Sequence, residues 1–400
     1  MRTTSIWRVR GMPELGALTL LGFTGYAALL PVAPLWAVRG GADAAGAGLV
    51  NGVLLLATVL TQGFIPRALA RVGWARVLIV GLLLLGLPSL ATAASEDLRW
   101  ILACSVVRGM GFAVLTVCGS SAVAMLVDPA RRGAGIGAYG LAVAVPNVIV
   151  LSLAPWAAEN LGYRFVFVVG TIPILAIPAA VALARQLPAA VPQTHLRQGT
   201  DQHETHPSPA RSAVWRALLA PALILLSVTL AGGGVMTFLP QMVSNPTTVM
   251  VALLAFGAMT TASRWLVGTI ADRHGAHGFV APLLASAVVG LGFVAWAVRD
   301  ADSPALLALG LGVLAAGLAY GALQNLTLLM AFNAVPPRRV GTASAVWNVG
   351  FDTGTGLGSV LVGVLATEAG FSVAMVAVGA VCAAAIPLAL RTSPSFGSRP

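Results

Sequence analysis

The chain contains no lysine; all of its 23 basic residues are arginine. That removes at once a nucleotide-binding loop of the Gly-x-x-x-x-Gly-Lys type, whose lysine has to reach the phosphates. Charge of either sign is scarce, at 9% of 400 residues, whereas a soluble chain carries about a quarter. A water-covered surface is therefore excluded for most of the molecule. The three cysteines, Cys104, Cys118 and Cys382, all lie inside apolar runs. No loop pair is available for a disulfide, and the three read as small packing residues. Alternating apolar and polar strands are missing too, which argues against an outer-membrane barrel. No paired-histidine metal motif and no nucleophile–base constellation lies in the apolar runs, so neither an enzyme, a cofactor nor a metal is expected.

What is present is apolar: 58% of the residues, with a mean hydropathy of +0.90. Runs of 18 or more such residues recur from end to end and read as spanning helices. The pattern predicts spans at 14–38, 46–69, 76–94, 100–127, 133–155, 164–184, 216–240, 247–270, 279–298, 304–332, 340–366 and 371–391. At ~1.5 Å per residue most of these cross ~30 Å of hydrocarbon. The start imitates a signal peptide, with Arg2, Arg8 and Arg10 ahead of an apolar run. No small-residue cleavage site follows, and the run continues through Pro31 and Pro34; it reads as an uncleaved first span.

The net charge of +10 needs no nucleic acid as partner, because cytoplasmic loops of membrane proteins carry an excess of cations. With both termini in the cytoplasm, that side receives Arg67, Arg71, Arg76, Arg131, Arg132, Arg185, Arg273, Arg338 and Arg339, among others, while the outside receives Arg39, Arg99, Arg164 and Arg299. Asp43, Glu96, Asp97, Glu159, Asp300, Asp302 and Glu368 fall outside. The expected setting is a cell (inner) membrane crossed an even number of times in each half, with the lipid bilayer as solvent.

Between Arg185 and Trp215 the apolar period stops, and Pro188, Pro192, Pro207 and Pro209 appear with His195, His203 and His206. This is the composition of a solvated linker. His203 and His206 stand three apart, a spacing open to a metal, but no other ligand is nearby in sequence, and a flexible polar loop is the favoured reading. The domain organisation expected is a six-helix bundle at 1–184, a cytoplasmic linker at 185–215 and a second bundle with a short cytoplasmic tail at 216–400. The halves repeat each other. Pro129-Ala-Arg-Arg-Gly133 opens the fifth span and Pro336-Pro-Arg-Arg-Val-Gly341 the eleventh; Asn160-Leu-Gly162-Tyr matches Glu368-Ala-Gly370-Phe further on. Duplicated halves are the architecture with which transporters rock between two openings.

After the eighth span the chain reads Gly268-Thr-Ile-Ala-Asp272-Arg273-His-Gly275. This resembles the Gly-x-Leu-Ala-Asp-Arg-x-Gly signature of the major facilitator superfamily. The resemblance implies an all-α fold of twelve helices in two pseudo-symmetric bundles. It also implies a gating loop in which Gly268 lets helices approach, Gly275 turns the chain, and Asp272 and Arg273 form ion pairs. The corresponding loop of the first half has Pro66 and Ala70 where the family has a glycine and an acid.

Two ionisable residues are candidates for intramembrane positions: Arg108 in the fourth span and Asp352 in the eleventh. Each costs about 2.5–3.5 kcal/mol at a helix centre, so neither is expected to face lipid. Arg108, followed by Gly111, is similar to the fourth-helix arginine of the drug:proton antiporter, or arabinose-efflux-permease-like, branch, which implies a role in proton coupling. The fifth-helix Gly-Pro pair of that branch is absent, since Val145 precedes Pro146. Family resemblance lines the cavity with the first, fourth, seventh and tenth spans, making Tyr26, Thr237, Phe238, Gln324 and Asn325 the candidates for solute contact, with Tyr320 beside them. A mostly apolar wall with one arginine favours an amphipathic or anionic solute. Gly133 with Gly137, and Gly350 with Gly354 and Gly358, read as close-packing stripes; Gly232-Gly233-Gly234 reads as a bend. The expected function is export of a small-molecule substrate against protons by a monomer. Proton-linked uptake of a metabolite, and a non-transporting membrane sensor, are the alternatives.

Overall fold

A computed structural model describes residues 5–128, 131–187, 211–274, 277–336 and 339–391. Among them there is no strand. In lipid this is forced: every backbone N–H and C=O must be satisfied within its own segment, which a helix achieves and an open strand does not.

The helices are α1 (Met12–Arg39), α2 (Ala44–Gln62), α3 (Ile65–Val72), α4 (Trp74–Thr92), α5 (Leu98–Leu126), α6 (Arg132–Asn160), α7 (Tyr163–Val169), α8 (Ile177–Ala184), α9 (Arg211–Met242), α10 (Pro246–His274), α11 (His277–Ala297), α12 (Leu306–Asn333) and α13 (Val340–Arg391). A 3₁₀ turn at Ile172–Ala176 joins α7 to α8, and together they make the sixth span. Among the described residues, eleven stretches are long and apolar enough to cross a membrane. The last of them contains two crossings. Its 52 residues would measure ~78 Å as one helix, and Gly370, at φ 83° and ψ 163°, breaks it. Gly162, between α6 and α7, adopts φ 96° and ψ 148°. The repeated glycine of the two halves is thus the same backbone device, a left-handed residue that turns one span into the next.

The second predicted span stops earlier than its apolar run. Pro66 lies in the first turn of α3, and Arg67 and Arg71 need water or headgroups. Ile65 and Leu69 are buried on the opposite face, so α3 is a short amphipathic helix of the kind that lies along an interface.

The chain forms two compact units, Met1–Val191 with Met236–Leu254, and Pro192–Val235 with Ala255–Pro400. In the first, α1 packs on α6, and α5 packs on both α2 and α4. Glycine permits the closest of these contacts: a Cβ on Gly109 of α5 would meet the Leu54 carbonyl of α2. At one end of this unit the Trp36 Nε1 donates to the carbonyls of Thr92 and Ser95 at 3.1 and 3.0 Å. Arg39 there pairs with Glu96 at 3.3 Å and lies over the rings of Trp36 and Tyr163.

In the second unit α11 packs on α12 and α13. Gly354 and Gly358 act as the small-residue stripe requires, since a Cβ on either would strike the α9 backbone at Leu226 or Leu230. Gly137 does not show this: among the described residues nothing lies within 4 Å of its added Cβ. The Gly232–Gly234 triplet is likewise not a bend. α9 runs through it, and its missing side chains make room for Tyr320, Thr355 and Val362.

Candidate functional site

In the first unit, α5 starts at Asp97, whose carboxylate caps the N–H groups of Arg99 and Trp100. Three turns later Arg108 is 1% exposed, the largest of the fully buried side chains. It does not snorkel to an interface. Its Nη2 donates to the Gly25 carbonyl of α1 at 3.4 Å, while its Nε has no partner. Gly25 itself sits where a Cβ would strike Pro173 and the Gly170 carbonyl, so α1, α5 and the broken sixth span converge here. Tyr26 stacks on Phe112 with ring centroids 3.9 Å apart and planes at 6°, and Phe23 meets the same ring edge-on at 5.5 Å. The guanidinium therefore stands within electrostatic reach of Tyr26 in this aromatic cluster, in surroundings where an unneutralised charge is costly.

Thr237 and Phe238, 1% and 0% exposed, belong to the same unit. Thr237 accepts a hydrogen bond from the Asn51 Nδ2 at 2.9 Å, and that amide also donates to the Leu30 carbonyl at 2.8 Å. Asn51, absent from the residues that sequence singles out, knots α1, α2 and the end of α9 together. A polar residue inside an apolar span was its signal.

The second unit holds the other candidates. Asp352 on α13 is 6% exposed and lies within electrostatic reach of Tyr320 on α12, as does Arg264 on α10. Gln324, 2% exposed, accepts from the Arg264 Nη1 through Oε1 at 3.0 Å, and its Nε2 is without a partner. Asn325 donates from Nδ2 to the Arg264 carbonyl at 2.7 Å, across Gly268, where an added Cβ would lie 3.2 Å from that nitrogen. Arg264 thus organises three residues selected from sequence, although sequence reading leaves it out. It meets the criterion that marks Arg108, a cation inside a span. Its own span is the least apolar of the eleven, at a mean hydropathy of 1.4, and the charge merges there with the basic loop that follows.

Asp272 and Arg273 fall in the last turn of α10; their side chains, and Gly275, lie outside the described residues, as do His195, His203 and His206. In the first half Gly73, the counterpart of Gly275, has φ 81°. Asn147 donates to the Val143 carbonyl at 2.8 Å, next to the Ala142 carbonyl that Pro146 leaves without its helical donor.

A family model described as the Major Facilitator Superfamily matches residues 15–331 and 245–400. A probable 4-methylmuconolactone transporter of Cupriavidus pinatubonensis is 25% identical over 240 residues. The match covers 56% of this chain and 54% of that relative, about half the length of each. Among solved structures, a bacterial homologue of the human lysosomal transporter Spinster, inward-facing and unoccupied, superposes with a TM-score of 0.74 at 17% identity, covering 96% of this chain and 97% of the other. A mutant of the nucleoside transporter NupG gives 0.71 at 13% identity, covering 95% and 99%. At such identities the likeness is one of fold.

Proposed function

Because the chain belongs to the major facilitator superfamily, and is therefore a multi-pass membrane transporter of small molecules, we propose that it exports a small organic molecule by proton antiport with alternating access. The observation that carries this reading is Arg108: a guanidinium with 1% exposure, one carbonyl partner and an unpartnered Nε. A cation at bilayer depth costs about 2.5–3.5 kcal/mol, and such a cost is retained where it serves a step of the cycle. Asp352 is the complementary group, neutral with its proton and charged without it. A group of that kind biases whichever of two arrangements better tolerates its charge, and so links proton movement to reorientation. The loop from Gly268 through Asp272 and Arg273 to Gly275 is assigned to gating. We read the chain as two six-helix halves about the 185–215 linker, with both termini on the cytoplasmic side of a cell membrane, which the arginine distribution supports.

Proton-linked uptake of a small metabolite is the second reading; the relative named as a probable 4-methylmuconolactone transporter supports a small organic solute for either reading. Purified protein in vesicles with an imposed pH gradient separates the two. Antiport requires solute to move against the direction of proton flow, and uptake requires it to move with it. Flux indifferent to the gradient overturns both.

A further inference from the structure

We propose that Arg264, positioned by Gln324, is the carboxylate-binding residue of the transport path, and that the transported solute is an organic carboxylate. This rests on the transporter reading and names the class of solute it serves.

Four observations converge. The first is position: Arg264 lies six residues before the end of the predicted span at 270, ~9 Å along the axis, in the last two turns of the span. The second is direction. Trp265 and Leu266 are 74% and 49% exposed and make the outer face, whereas the Arg264 head turns to α12 and meets Gln324 at 3.0 Å. Arg264 is itself exposed, so its guanidinium is open to a ligand while Gln324 holds one side of it. Gly257, Thr261, Arg264 and Gly268 follow one another at helical spacing, so Arg264 lies on a small and polar stripe of α10.

The third observation is what holds the cation. Among the described residues its side chain is bonded to an amide and not to a carboxylate. A guanidinium has five N–H donors in a fixed fork, and one amide oxygen leaves most of them for a ligand. The fourth is the partner. Gln324 spends its oxygen on Arg264, so its Nε2, buried and unpartnered, stands beside the guanidinium as an additional donor. Asn325 fixes the Arg264 backbone from the same helix. The unmet groups are N–H donors at a cation, and the chemistry they match is a carboxylate, which takes a guanidinium bidentately and accepts a further N–H. Phe256, Tyr320 and Phe351, with centroids 5.5 and 6.4 Å apart in sequence along the row, back the site with apolar surface that strengthens such a pair.

The test uses the full-length protein in vesicles, with a panel of aliphatic and aromatic monocarboxylates such as benzoate and the matched uncharged amides. The wild type is expected to carry at least one acid and not its amide. Arg264→Ala should raise KM for that acid by about tenfold or more, the worth of a charge-assisted bond, and Arg264→Lys should recover part of the loss, since it keeps the charge without the fork. Gln324→Glu, of nearly the same shape, places an internal anion against Arg264 and should raise KM with turnover kept, a split that a purely structural role would not produce. If Arg264→Ala fails to insert, Gln324→Glu decides alone. Acid transport with unchanged KM in these variants, or transport confined to uncharged solutes or cations, overturns the carboxylate assignment and leaves the transporter reading intact. No flux of any solute by the wild type overturns both.

Discussion

Arg108 on α5 reaches 83 residues back along the sequence to the carbonyl of Gly25 on α1, Nη2 to O 3.4 Å. One neutral oxygen for a fully buried cation is a poor exchange for hydration. Replacing a buried charge by an apolar side chain of similar volume is often neutral or stabilising, by up to about 4 kcal/mol. Arg108→Met is therefore expected to leave the melting temperature in detergent unchanged or raised while pH-driven flux falls to background. A large loss of stability with flux retained would make Arg108 a structural residue.

Asp352→Asn keeps shape and hydrogen-bonding capacity and removes the titrating proton. Net flux driven by a pH gradient should disappear, while exchange of labelled for unlabelled solute at equal pH persists. Both activities have to be measured on one preparation, since loss of both would point to packing at this 6%-exposed site.

Gly109 and Gly137 are a matched pair for the packing argument. A Cβ on Gly109 meets the Leu54 carbonyl, and Thr58 Oγ1 donates to the Gly109 carbonyl at 3.0 Å, so α2 and α5 cannot easily part. Gly109→Ala should cost about 1–3 kcal/mol, seen as a lower thermal midpoint. Gly137→Ala meets open space and should be neutral or stabilise by up to about 1 kcal/mol through helix propensity.

Gly162 and Gly370 test the duplicated turn. Neither added Cβ has a neighbour within 4 Å, yet both residues have positive φ. The cost of Gly162→Ala or Gly370→Ala is thus purely conformational, about 1–3 kcal/mol each, and should appear as similar drops in thermal midpoint.

Gly370 also shows where local and global information part. The sequence alone determined that the molecule is a set of lipid-solvated helices and, the second span excepted, where they start and stop to within a few residues. Span length is set by bilayer thickness and backbone satisfaction is local, so both are readable within one segment. The glycine that ends the eleventh span is legible in the sequence as a repeat of Gly162. Only the tertiary structure decided which buried polar groups meet. The Arg264–Gln324 contact joins residues 60 apart, and the Asn51–Thr237 contact residues 186 apart. In lipid no hydrophobic difference selects one helix pairing over another. The choice falls to small-residue fit and interhelical hydrogen bonds, which exist only once the helices are side by side; hence Arg108 could be picked out from its own span, and Arg264, in the least apolar one, could not.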